Sequence, residues 1–376
     1  MHIAAYAAVL LLALALRWYY ASRWGVPPDG PGLAAGLLVV LFTGLAAGRL
    51  GGALAGVAAA AALAVSPLAI SASLWGTNDT YAAAAAAISL YFYKLNPLVT
   101  SRRRGNYLWA GVFATAAALW RFPFVVLPLY YALDNVRALA TRDRLARRRV
   151  YWWLGLLMLI ALAAGLERWI TGDIFAAFRT ATIAPHPGYL TTKALLQRLG
   201  ADAAAMLFWN PYGFGATITL GLAGAFFLTS GRRPGGSFYG GILVFSLALY
   251  NFAPTSWDGY TPLALEGAKW HLTAVPAAML FGLSFECLYT GGADPKLLGS
   301  WGAALSLAFL AAALWINVTM PRALLTAAAA AAAVVLTLIL AGFARRRPEV
   351  AGWLGRAAAL LAAALALLPT VILFAP

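Results

Sequence analysis

Long apolar stretches recur along the whole chain, and they constrain the fold more than any single motif. A helix that crosses a bilayer needs roughly 20 apolar residues, and about 13 such stretches fit into the 376 residues. Hydrophobic residues make up 63% of the chain and charged residues 10%, whereas a typical soluble domain carries about 25% charged residues. The sequence therefore predicts an all-α, polytopic membrane helical bundle and excludes a soluble globular protein. The predicted spans lie near 3–16, 33–48, 51–72, 80–94, 107–120, 123–135, 150–166, 206–229, 237–253, 271–289, 299–316, 323–342 and 352–374.

Some boundaries stay open at this point. The spans 107–120 and 123–135 are either two helices or one helix kinked at Pro123, and the segment 209–213 interrupts another span. The first span ends in Arg17 followed by three aromatic residues and has no basic segment before it. This pattern is typical of a retained membrane anchor with an interfacial aromatic belt, and it differs from a cleaved signal peptide.

The distribution of charge predicts the orientation of the bundle. The formal net charge is +15, with 27 Lys and Arg against 12 Asp and Glu. If the N-terminus lies in the cytoplasm, most basic residues fall in inner loops, including the runs 102–104, 137–149 and 345–347, while most carboxylates fall outside. The excess of positive charge is therefore interpreted as a topology signal, and no nucleic-acid partner is expected.

Four predicted outer segments concentrate polar and ionisable side chains, which are costly near a bilayer and often functional. The candidates in the first three segments are Asp29, Asn78, Asp79 and Arg121. Those in the fourth segment are Trp257, Asp258, Tyr260, Glu266, Lys269 and His271. Further aromatic faces are offered by Trp75 and Tyr81. The long outer loop 167–205 is expected to contain a short interfacial helix, because apolar and basic residues are interleaved after Lys193.

Each candidate also has an ordinary structural explanation. Asp79 is a suitable N-cap for the helix that follows it. Arg121 can snorkel from the end of an apolar span to the interface, and Glu266 can pair with Lys269 three residues later on one helix face.

Other chemistries are excluded by the residues available. The chain has no glycine-rich phosphate-binding loop, no zinc-protease motif and no nucleophile elbow. With Cys287 as its single cysteine and three histidines, it also lacks a disulfide framework and a thiolate metal cluster. No cofactor is certain, although a divalent cation with Asp79 as an oxygen ligand stays open.

The order of several short motifs resembles the GT-C glycosyltransferases, multispanning enzymes that use polyprenyl-phosphate sugars. The motifs are 66–68, 74–80, 120–128 and 266–272, with Pro276 in the helix that follows. The last two motifs resemble, more loosely, the mannosyltransferases of early glycosylphosphatidylinositol assembly and their prokaryotic relatives. The resemblance covers about residues 1–290, which are expected to form the catalytic module, and residues 291–376 are expected to add C-terminal membrane helices.

This resemblance implies transfer of a sugar, with mannose as one candidate, from a polyprenyl-phosphate donor to a glycan, lipid or protein acceptor, with inversion. It places the site on the extracytoplasmic face of what is expected to be a prokaryotic plasma membrane. Asp29 or Asp79 is the expected general base, and Arg121, Lys269 and His271 are expected near the donor phosphate. Family members usually carry an acidic residue or pair in a larger first outer loop, whereas this loop is short and offers Asp29 alone.

The remaining outer residues would complete the substrate site. Asn78, Asp258 and Glu266 are candidate polar contacts, and the aromatic residues would offer flat faces to the sugar. Two alternatives remain. A lipid-linked-sugar flippase or other transporter would bury charged residues along a path through the membrane, and a non-catalytic membrane subunit would carry the outer carboxylates only as surface groups.

Overall fold

The computed structural model describes residues 2–93, 104–140, 150–173, 236–252, 271–291 and 346–374, together with four helical residues between 221 and 228. These residues form helices and no strand, which confirms the predicted all-α class. The helices are α1 (His2–Trp24), α2 (Gly30–Gly51), α3 (Ala53–Ala64), α4 (Pro67–Leu74), α5 (Asn78–Tyr93), α6 (Arg104–Trp120), α7 (Val126–Ala140), α8 (Tyr151–Thr171), α9 (Gly236–Phe252), α10 (His271–Gly291) and α11 (Pro348–Phe374).

Several of these helices are long and apolar enough to cross a membrane. Within the described ranges, four pass this test by length and composition, namely Ile3–Trp24, Gly30–Gly51, Tyr151–Thr171 and Thr273–Thr290. The pair α3 and α4 adds a fifth if it is one broken span. The chain is thus a multi-pass membrane protein. The total of about 13 spans stays a prediction, since the spans at 299–316 and 323–342 lie outside the described residues.

The predicted span 51–72 is divided by a break. α3 ends at Ala64, α4 begins at Pro67, and the two helices are bent by 62° relative to each other. The cause is local: Pro67 has no N–H to continue the helical hydrogen bonds, and it forces Ser66 into an extended conformation with φ −69° and ψ 121°. Proline then suits the first turn of α4.

The structure also settles the region around Pro123. α6 and α7 are separate helices joined by the short 3₁₀ segment Phe122–Val125, in which the N–H of Phe124 donates to the carbonyl of Arg121 at 2.9 Å. The alternative of one kinked helix is therefore wrong. In addition, α1 continues to Trp24, well beyond the predicted end at residue 16.

Small residues bring the helices into close contact. A Cβ on Gly282 of α10 would overlap the carbonyl of Ala55 in α3. At the crossing of α6 and α8, Gly111 and Gly155 each lie directly against the backbone of the other helix. Membrane helices gain stability mainly from such packing, because lipid and apolar side chains differ little in polarity.

The bundle has two distinguishable ends. The end of α4 and the starts of α2 and α5 lie together, since the Asp29 N–H donates to the Leu74 carbonyl at 3.5 Å. We call this the polar end. At the opposite end, Glu286 of α10 accepts a hydrogen bond from the N–H of Ala55 at the start of α3 (3.0 Å). α3 and α10 are therefore antiparallel, and α10 begins toward the polar end.

Candidate active site at the polar end of the bundle

Asp79 and Arg121 form a bidentate ion pair at the polar end. Asp79 is the second residue of α5 and is 1% exposed, so it is not the N-cap that the sequence offered as an alternative. Its Oδ1 accepts from Nε of Arg121 at 3.1 Å, and its Oδ2 accepts from Nη2 at 3.0 Å. The Arg121 side chain is 36% exposed. The buried carboxylate therefore fixes the plane of a guanidinium that still reaches the surface.

Asp29 is anchored through one carboxylate oxygen only. It is the N-cap of α2, where its Oδ2 accepts from the N–H of Gly32 at 2.8 Å. The same oxygen accepts from the hydroxyl of Tyr81 at 3.0 Å. Oδ1 has no hydrogen-bond partner among the described residues, and Asp29 is half-buried. The carboxylate is thus held in place while Oδ1 stays available.

Gly76 makes room for this carboxylate. It follows the C-cap of α4 with φ +56°, a conformation that favours glycine, and a Cβ at this position would overlap the Asp29 carboxylate. A Cβ on Gly32 would lie 2.8 Å from Oδ2 of Asp29. Two glycines therefore let the backbone close around the anchored oxygen.

An aromatic pair connects the two carboxylates. The Tyr81 ring stacks on Trp120, with centroids 6.0 Å apart and an interplanar angle of 28°. Tyr81 follows Asp79 by two residues, and Trp120 directly precedes Arg121. The order in space is thus Asp29, Tyr81, Trp120, Arg121 and Asp79. The sequence offered Tyr81 only as an aromatic face, and it did not predict the hydroxyl contact with Asp29 or any role for Trp120.

The other predicted site residues stand as follows. Asn78 is exposed at the start of α5, next to Asp79, and Trp75 is 63% exposed at the end of α4. His271 begins α10 toward the polar end. The remaining predicted residues lie outside the described part of the chain and stay predictions: Trp257, Asp258, Tyr260, Glu266 and Lys269. The interfacial helix predicted after Lys193 lies outside it too.

A divalent cation does not fit the described residues of this site. Both oxygens of Asp79 are occupied by the guanidinium of Arg121. In the part of the chain that the structure describes, no group of three His, Cys, Asp or Glu side chains could hold a metal ion. Asp79 is therefore the partner of Arg121 and not a metal ligand in this arrangement.

Arg17 lies inside the bundle, contrary to the interfacial position expected from the sequence. Its side chain is 0% exposed, and its Nε donates to Oγ of Ser73 at 2.8 Å. The expectation failed because it ended the first helix at residue 16. Since α1 continues to Trp24, residue 17 is an internal position of the helix. A charged residue that is flanked by apolar residues on both sides is the sequence signal that could have identified this buried position.

Two solved structures of ArnT from Cupriavidus metallidurans resemble this chain. The apo structure has a TM-score of 0.50 at 18% sequence identity and covers 91% of this chain and 62% of ArnT. The fold of the present chain is therefore ArnT-like. The structure bound to undecaprenyl phosphate has a TM-score of 0.48 at 19% identity and covers 91% of this chain and 63% of ArnT. No protein-family model and no curated protein matches the sequence.

The likeness concerns the fold. ArnT is a membrane glycosyltransferase of the GT-C superfamily, so the resemblance drawn from the sequence motifs is confirmed at the level of fold. The chain spans a little over three fifths of ArnT's length.

Proposed function

We propose that this protein is a membrane glycosyltransferase that moves a sugar from a polyprenyl-phosphate donor to an acceptor hydroxyl with inversion. The observation that carries the proposal is that two groups lie together at one end of an ArnT-like bundle. One is the Asp29 carboxylate, which is anchored through Oδ2 and keeps Oδ1 available, and the other is the Arg121 guanidinium, which Asp79 orients. The donor class follows from the motif resemblance, and mannose is the first sugar to test.

Asp29 is the better general base of the two carboxylates. Its Oδ1 is available, whereas both oxygens of Asp79 already accept hydrogen bonds from Arg121. The contacts with Gly32 and Tyr81 fix the carboxylate through Oδ2. General-base assistance by a positioned carboxylate typically contributes about 10² to 10⁴ in rate.

Arg121 suits the leaving phosphate. The guanidinium offers donors in one plane, and Asp79 holds that plane fixed before substrate binds, which is the arrangement that stabilises developing negative charge at low reorganisation cost. Lys269 and His271 stay proposed as additional cations. The Tyr81–Trp120 stack lies between the base and the guanidinium, and Trp120 is 51% exposed, so it offers a flat face for the sugar ring.

The chemical step then balances without a cofactor. The acceptor oxygen attacks the anomeric carbon from the side opposite the phosphate, and its proton passes to Oδ1 of Asp29. The bond between the anomeric carbon and the phosphate oxygen breaks, and its electron pair leaves with the polyprenyl phosphate near Arg121. Attack opposite the leaving group inverts the anomeric configuration.

The proposed site faces outward from a prokaryotic plasma membrane. In support, basic residues collect at the opposite end of the bundle, where Arg49 lies over the Tyr91 ring at 3.7 Å and Arg356 lies 5.9 Å from the Tyr289 ring centroid. Cytoplasmic ends carry the excess of Lys and Arg. Residues 1–290 would form the catalytic module, and the acceptor would be a lipid, a glycan or a protein.

The arrangement of buried charge favours this function over transport. Among the described residues, the fully buried charged side chains are those of Arg17 and Asp79, and both lie toward the polar end. A transporter would instead distribute such groups along a path across the membrane.

The proposal is tested with the purified protein in liposomes supplied with radiolabelled undecaprenyl-phosphate hexoses, mannose first, and total membrane lipid or peptide as acceptor. Asp29→Asn is expected to lower transfer by about 10² to 10⁴, because the amide keeps the cap of α2 but cannot accept the proton. Asp173→Asn, at the end of α8, is the control and should retain activity. If Asp29→Asn transfers sugar at the normal rate, Asp29 is not the base and this mechanism is wrong.

A further inference from the structure

Arg17 carries a positive charge inside α1 that the proposed chemistry does not use. It lies seven residues before the end of the helix, which corresponds to about 10 Å at the rise of an α-helix. Its hydrogen bonds all go to neutral oxygens: Oγ of Ser73 at 2.8 Å, the carbonyl of Ala13 at 3.0 Å and the carbonyl of Ala69 at 3.4 Å. A buried charge in a membrane helix is costly, and such residues usually serve a function.

These hydrogen bonds join α1 to α4. The Ser73 hydroxyl accepts from Arg17 and donates onward to the carbonyl of Ile70 at 2.7 Å. α4 has only eight residues and follows the break at Pro67, so the hydrogen bonds of α3 do not continue into it. Arg17 therefore helps to hold α4 in place, because the connection between α3 and α4 alone constrains this short helix only weakly.

The position of α4 decides the surroundings of Asp29. A Cβ on Gly36 of α2 would lie 2.5 Å from Cβ of Ser73 and 3.3 Å from Nε of Arg17. One helical turn earlier, a Cβ on Gly32 would lie 2.5 Å from the carbonyl oxygen of Ser73 and 2.8 Å from Oδ2 of Asp29. α2 and α4 are thus closely packed from the level of Arg17 to the level of Asp29.

The turn after α4 completes this connection. The Leu74 carbonyl accepts from the Asp29 N–H, and Gly76 lies directly against the Asp29 carboxylate. A shift of α4 would therefore move the surface that holds Oδ2 of Asp29.

We infer that Arg17 is a positioning residue for Asp29, acting through α4. It holds the Leu74–Gly76 turn against the carboxylate so that Oδ1 keeps its direction toward the acceptor. This inference rests on the proposed function for its catalytic consequence, while its structural part concerns α4 alone. The guanidinium has no carboxylate partner that its removal would leave unpaired. Replacing Arg17 with an apolar side chain should therefore lower the stability of the fold less than breaking a buried ion pair would.

The first test is the variant Arg17→Met, with Ser73→Ala as a milder change that removes only the hydroxyl. We expect kcat to fall by about 10²-fold in Arg17→Met, as a 1 Å misplacement of a catalytic group can produce, with the donor KM unchanged and Tm not lowered. Ser73→Ala should show a smaller loss of the same kind. Arg23→Met, an exposed arginine in the same helix, is the matched control and should behave like the unmodified protein.

A second readout separates this inference from the proposed function. Hydrogen exchange in residues 67–77 should become faster in Arg17→Met than in Arg23→Met, whether or not any sugar lipid is turned over. If exchange in this segment is unchanged, or if Tm falls while kcat per folded molecule stays constant, Arg17 is not a positioning residue. An inactive Asp29→Asn beside a fully active Arg17→Met would overturn this inference and leave the proposed function standing.

Discussion

At the residue scale, the environment of Asp79 predicts how the ion pair with Arg121 responds to mutation. Arg121→Gln leaves a carboxylate that is only 2% exposed without its positive partner, and we expect a loss of about 3 kcal/mol in the free energy of unfolding. The double variant Asp79→Asn with Arg121→Gln should recover most of that loss, because neither remaining group is charged. Denaturant unfolding in detergent micelles measures both.

Donor binding distinguishes the contribution of the Asp79–Arg121 pair to stability from the proposed contribution of Arg121 to phosphate binding. The double variant should remain weak in donor binding, measured as KM for the undecaprenyl-phosphate sugar, because the guanidinium is absent. Arg121→Lys keeps the charge but loses the bidentate geometry. Its donor KM should therefore lie between those of the unmodified protein and the double variant. Normal donor KM in the double variant would contradict the assignment of Arg121 to the phosphate.

At the element scale, the turn between α4 and α5 offers a matched pair of glycines. Gly76 and Gly25 have φ of +56° and +63°, so alanine is strained at both positions by roughly 1–2 kcal/mol. Only at Gly76 would the added Cβ overlap Asp29, whereas nothing lies within 4 Å at Gly25. Gly76→Ala should therefore reduce transferase activity at least tenfold beyond Gly25→Ala, at a similar Tm. Equal activities would show that the turn does not position the carboxylate.

At the scale of the whole molecule, the two ends of the bundle should lie on opposite sides of the membrane. Cys287 is the single cysteine, so Cys287→Ser provides a background for placing new ones. Asn78→Cys, at the exposed start of α5, should react with a membrane-impermeant maleimide in intact cells. Arg346→Cys, exposed before α11, should react only after permeabilisation. The reverse pattern would place the proposed site in the cytoplasm.

The sequence by itself determined the class of fold and the residues at which chemistry is possible. A helix satisfies its own backbone hydrogen bonds, as a lipid environment requires, so long apolar stretches predict helices without knowledge of their neighbours. The break before α4 follows from the local effect of Pro67 on Ser66. Asp29, Asp79 and Arg121 were identifiable as candidates because ionisable groups beside apolar spans are rare and costly.

Only the tertiary structure decided what these residues contact. The hydrogen bonds between Asp79 and Arg121 and between Asp29 and Tyr81 join residues that are 42 and 52 positions apart in the sequence, and they show which carboxylate keeps an available oxygen. Burial of Arg17 depends on which face of α1 meets α4. In a soluble protein the apolar face of a helix would predict that choice, but in a membrane helix both faces are apolar, so the pattern of residues leaves the inward face undetermined.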